Sequence, residues 1–70
     1  VNKLFVDGRS FFTQETALIG ADIKKLAGTS SYHLYLESSS KIGDKFVEDG
    51  EAVRLDEKIC HFFVVPPATI

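Results

Sequence analysis

The stretch that most constrains this chain is its last strand-forming run, Ile59-Cys60-His61-Phe62-Phe63-Val64-Val65, which leads straight into Pro66-Pro67. Seven consecutive β-favouring residues, apolar on both faces apart from His61, describe a strand at the centre of a sheet rather than at its edge. The two prolines then end it. Neither has an N–H to give to a ladder, and each fixes φ, so the chain leaves the sheet extended. A central strand that delivers the chain outward fits a domain whose C-terminal segment is used. It fits equally a domain followed by a linker.

The sheet must be completed within 70 residues, which is one domain at most. An apolar fraction of 44%, with six Phe and two Tyr, is enough for a single core and argues against disorder. A formal net charge of −2, with scattered basic residues, leaves no electrostatic footprint for nucleic acid. The single cysteine excludes an internal disulfide and a zinc cage. Together with the lack of a signal-peptide pattern or a membrane-length apolar run, it makes a reducing, cytoplasmic setting the expectation.

Residues 3–6 alternate, with Leu4 and Val6 on one face and Phe5 on the other. Asp7-Gly8 follows, a two-residue hairpin signal because both positions tolerate positive φ, and residues 10–14 return. The period then changes. Ile19, Ile23, Leu26 and Ala27 recur as one face of a short helix, with Gly20 near its start, Asp22 in the first turn, Lys24 and Lys25 in the last and Gly28 just beyond. Residues 32–37 alternate again, placing Leu34 and Leu36 inward. Ser38-Ser39-Ser40-Lys41 reads as a polar loop, and Phe46 with Val47 as a plug for the open end of the core. Asp49-Gly50 marks a turn before a strand over residues 52–55, and the final strand follows. A hairpin, one helix and three further strands give an α+β chain of β-grasp type. A right-handed crossover brings the last strand back beside the first, parallel to it and central.

Lys3-Leu4-Phe5-Val6, the single helix, Tyr32-His33-Leu34-Tyr35-Leu36 and Glu48-Asp49-Gly50-Glu51-Ala52-Val53-Arg54-Leu55 resemble ubiquitin-like β-grasp domains. More narrowly, residues 19–28 (IGADIKKLAG) and the terminal Phe62-Phe63-Val64-Val65-Pro66-Pro67-Ala68-Thr69 resemble the bacterial multiubiquitin domain family. The resemblance implies a non-enzymatic protein modifier, or one unit of a tandem modifier, in a bacterial conjugation system. Its partners would be E1-like and E2-like enzymes and a JAB-type peptidase. Residues 1–65 would form the domain, and Pro66, Pro67, Ala68, Thr69 and Ile70 an extended tail or linker. Ubiquitin-type modifiers end in Gly-Gly, whereas Ala68-Thr69-Ile70 ends in a branched residue that suits a narrow enzyme channel poorly. The expectation is therefore that residues follow Ile70 in the full protein, or that this unit is internal.

Face assignment points to one surface. With Cys60, Phe62 and Val64 inward, His61 and Phe63 face out; with the last strand between residues 3–6 and 32–37, Phe5, His33, Tyr35, His61 and Phe63 form one patch. Aromatic side chains on a helix-free sheet face suit protein docking, and the resemblance implies binding through the same face. Packing against a neighbouring β-grasp unit or a homo-oligomer partner fits the pattern too, as does simple cross-strand stabilisation of a small sheet. A structural module, a sulfur carrier or a regulatory β-grasp domain remain alternatives to the modifier.

No catalytic constellation is apparent. Cys60 and His61 are adjacent in a strand and so point to opposite faces. His33 and His61 lack the third ligand of a metal site. The acids Asp44, Glu48, Asp49, Glu51, Asp56 and Glu57 do not follow the calcium-loop spacing, although a calcium ion shared between neighbouring copies would need only converging oxygens. The expectation is no cofactor and no metal.

Overall fold

The computed structural model describes residues 1–38 and 43–67. Strand β1 (Asn2–Val6) turns at Asp7-Gly8 into β2 (Arg9–Thr13), and both turn residues have positive φ, 53° and 79°. That is the turn which matches the natural twist of a hairpin. Then come β3 (Ala17–Ile19), helix α1 (Gly20–Leu26), β4 (His33–Leu36), β5 (Lys45–Val47), β6 (Ala52–Arg54) and β7 (Cys60–Val65). The main sheet has the order β2-β1-β7-β4-β5, and β3 pairs with β6 in a separate two-stranded ribbon. Strand β7 lies parallel to β1 and antiparallel to β4, at the centre of the sheet. The architecture is the α+β, ubiquitin-like β-grasp that the sequence predicts.

Two strands escape the sequence reading. Strands β3 and β5 have three residues each, too few to show a period. The second corrects the placement of Phe46. Within β5, Val47 opposes Leu34 and is buried, so its neighbour Phe46, opposite Tyr35, must face outward; it is 45% exposed and plugs nothing. The loop expected at Ser38-Ser39-Ser40-Lys41 lies outside the described residues except for Ser38, as does the Ala68-Thr69-Ile70 end of the tail.

The helix also differs from its expected face. Ile23 is fully buried and Ala27 packs on the core, but Ile19 and Leu26 are exposed. Ile19 is still extended (φ −79°, ψ 159°), the last residue of β3, so the helical phase begins one residue later. Among the described residues no side chain caps the helix at its start. Backbone carbonyls of the 48–51 turn do so instead: the Gly20 N–H donates to the Glu51 oxygen and the Ala21 N–H to the Asp49 oxygen, both at 3.0 Å. This close approach explains Gly20, because a Cβ there would overlap the carbonyl oxygen of Glu48. At the other end Gly28, with φ 73°, lets the Gly28 and Thr29 N–H groups reach back to Lys25 and Lys24, closing the last turn.

Leu4, Val6, Ile23, Leu34, Val47, Leu55, Cys60 and Phe62 make the core, with Phe62 the largest fully buried side chain. Phe11 packs against it, whereas Phe12 is exposed, which settles a choice the sequence leaves open. Each such burial is worth about 1.5–3 kcal/mol. Lys24, itself buried, reaches out from the helix to Asp49 at 2.6 Å and ties the helix to its capping turn.

Candidate aromatic docking face

The sheet face opposite the helix is built by strand alternation. In β1 the inward residues are Leu4 and Val6, so Lys3 and Phe5 face out; in β7 Cys60 and Phe62 are buried and His61 and Phe63 face out. In β4 Leu34 is buried, leaving His33 and Tyr35 on the outer side. The register then sets these residues beside one another. Phe5 is opposite His61, and Tyr35 is opposite Phe63.

Side-chain geometry follows from these pairings. The Phe5 and His61 rings stack with centroids 4.8 Å apart and planes inclined by 5°; Tyr35 and Phe63 stack at 5.2 Å and 8°. Phe46 stands edge-on to Tyr35 at 5.5 Å and lies 6.0 Å from His33. All five sequence-predicted residues, Phe5, His33, Tyr35, His61 and Phe63, therefore lie on one face. The sequence reading missed three others. Phe46 extends the face onto β5, Phe12 extends it onto β2, and the Lys3 ammonium sits 4.9 Å from the Phe5 ring and 5.8 Å from that of Phe12. The signal for Phe12 and Lys3 was the hairpin register, which pairs them directly.

The result is a band of rings across all five strands with cationic or titratable groups at Lys3, His33 and His61. Stacked and edge-on pairs contribute about 0.5–1.5 kcal/mol each beyond the area they bury. They also hold the rings in place before any partner arrives, which lowers the entropy lost on binding.

The other reactive side chains among the described residues lie apart from one another. Cys60 is buried on the core side, its thiol directed at the carbonyl oxygens of Arg54 (3.5 Å) and Lys58 (3.7 Å), and burial pushes its pKa up. His61 is on the other face. Several of the acids are engaged singly: Asp49 with Lys24, Glu51 with Lys45, and Asp56 with the Nε and Nη2 of Arg54, each at 3.0 Å. The Arg54 hydrogen bonds hold the Asp56 carboxyl below the usual carboxylate range. Among the described residues no three His, Cys, Asp or Glu side chains converge as metal ligands. No described helix is long and apolar enough to cross a membrane.

No curated protein and no solved structure matches the chain. The model of the multiubiquitin family does match, over residues 2–68, from the start of β1 past the end of β7. With a central β7 parallel to β1 and one helix across the sheet, the chain belongs to the multiubiquitin family of ubiquitin-like domains.

Proposed function

We propose that this domain is a protein modifier, or one unit of a multi-domain modifier, in a bacterial ubiquitin-like conjugation system of the cytoplasm. E1-like and E2-like enzymes and a JAB-type peptidase would recognise it through the outer sheet face, with residues 1–65 as the recognised body and residues 66–70 as the exit segment. The observation that supports this reading is the pre-stacked aromatic face on a multiubiquitin-family domain, Phe5 on His61 and Tyr35 on Phe63. Aromatic side chains are enriched among the few residues that carry interface energy.

The domain itself performs no chemistry in this account. The E1-like partner would join the C-terminal carboxylate of the mature protein to AMP, releasing pyrophosphate from ATP. A thiol or hydroxyl would then take the acyl group and release AMP, before transfer to a target amine. Intact mass spectrometry of the full-length protein with its E1-like and E2-like enzymes and ATP tests this. Covalent, ATP-dependent adducts support a modifier, and their absence counts against it.

The same open face supports a second reading, a structural module that packs against neighbouring β-grasp units or further copies. A size in solution that rises with concentration, without any adduct, would favour it.

A further inference from the structure

Strand β7 ends between two anchors, and one of them is a side chain. On the β4 side the Glu37 N–H donates to the His61 oxygen at 2.8 Å, so alternation makes Tyr35–Phe63 and His33–Val65 hydrogen-bonded pairs as well. The backbone groups of Phe62 and Val64 therefore face β1. There the parallel register, Leu4 with Cys60 through Val6 with Phe62, would next set Asp7 beside Phe63. A residue in that place donates its N–H one position back along the neighbouring strand and accepts from one position forward. The first bond is made by the backbone: the Asp7 N–H donates to the Phe62 oxygen at 2.9 Å. Asp7 is already in the turn, with φ 53°, and the second acceptor is its side chain: the Val64 N–H donates to Asp7 Oδ1 at 3.2 Å.

This rung is the last on its side. The next residue facing β1 is Pro66, which has no N–H. Val64 and Val65 are thus held from opposite sides, by Asp7 and by His33, immediately before the two prolines. Successive prolines make a stiff, extended piece, so the direction in which Val64 and Val65 leave the sheet is carried along it. Release of one anchor would turn that point into a hinge. Residue 7 meets two demands at once. Asp is among the few residues other than glycine that accept positive φ, and a carboxylate makes a strong bond to a backbone N–H.

We propose that Asp7 is a positioning residue for the segment after β7: its carboxylate completes the β1–β7 ladder across the hairpin turn and fixes the direction in which Pro66 and Pro67 leave the domain. Its use rests on the reading of residues 66–70 as the exit segment presented to an E1-like enzyme. An aimed segment loses less freedom on binding, so Asp7 acts on KM and leaves the chemical step alone.

Asp7→Gly tests this, because glycine accepts the positive φ of the turn and removes only the carboxylate. Asp7→Asn keeps an acceptor oxygen and should behave as the native chain. In Asp7→Gly the Val64 amide should exchange with solvent about tenfold faster, and spin relaxation should show added fast motion at the Val65 amide, while the Leu4 and Phe62 amides stay unchanged. With the E1-like enzyme proposed as partner, ATP–pyrophosphate exchange should show KM raised about fivefold at unchanged kcat, and restored in Asp7→Asn. Unchanged Val64 exchange in Asp7→Gly, equal acceleration across the sheet, no rescue by Asp7→Asn, or a freed Val64 with native KM would overturn the proposal. A native chain that forms no adenylate counts instead against the modifier reading, and the exchange and relaxation results then decide the role of Asp7 by themselves.

Discussion

Tyr35 and Phe63 lie directly opposite on β4 and β7, their rings stacked at 5.2 Å with planes 8° from parallel, on the side of the sheet away from the helix. The same two strands bury Leu34 and Phe62 on the other side. One ladder thus carries the core on one face and the proposed recognition surface on the other, and the two can be separated by mutation.

Replacing both rings, Tyr35→Ser with Phe63→Ser, should cost about 1–2 kcal/mol through lost cross-strand pairing. A 70-residue domain holds roughly 4–10 kcal/mol, so the variant should stay folded. Urea denaturation measures the cost, and binding to the proposed E1-like partner should fall well beyond what that loss explains.

Phe62→Ala, by contrast, empties the largest core position and should cost about 3–5 kcal/mol. At that scale much of the stability is gone. Phe12→Ser, on the hairpin and the opposite face of the sheet, should change stability by only about 0.5 kcal/mol because that side chain is exposed. Thermal denaturation of the pair checks the assignment of faces.

Gly20→Ala should destabilise by about 1–3 kcal/mol, since the new methyl meets the Glu48 carbonyl that the capping turn places against the helix. Hydrogen exchange should show the loss first at the Gly20 and Ala21 amides, whose bonds to Glu51 and Asp49 must open to make room. Gly28→Ala should also destabilise, but for the backbone alone, because its φ of 73° is unfavourable to alanine and nothing lies within 4 Å of a Cβ there.

Burial raises the Cys60 thiol pKa above its ordinary value of 9.0. In the unfolded chain the thiol ionises first, so its contribution to stability is complete below the ordinary value and is lost as pH rises toward the folded value. Stability should therefore fall more steeply between pH 8 and 10 in the native chain than in Cys60→Ala. Alkylation of the folded protein at neutral pH should be slow and should follow unfolding.

Much of this fold is legible in the sequence because its central features are two-sided. The apolar run at residues 59–65 places β7 at the centre, Asp7-Gly8 fixes the hairpin, and period-2 alternation sorts Phe5, Tyr35, His61 and Phe63 outward. What the sequence hides is set by partners far along the chain. Gly20 reads as a helix signal, yet its reason is the Glu48 carbonyl packed against it. Phe46 reads as core because it is large and apolar, but a three-residue strand has no period, and only its pairing with Tyr35 turns it outward. Ile19 fits the helical spacing and belongs instead to β3, whose existence depends on β6, 35 residues away at its Leu18–Val53 pair.

The most direct test of the central claim is a titration of the labelled domain with the E1-like enzyme proposed as its partner, followed residue by residue through amide and aromatic resonances. Perturbation and broadening concentrated at Phe5, His33, Tyr35, His61 and Phe63, and abolished in the Tyr35→Ser, Phe63→Ser variant, is the predicted result. Binding that leaves these resonances unchanged, or that survives in the folded variant, would contradict the assignment of the aromatic face as the recognition surface.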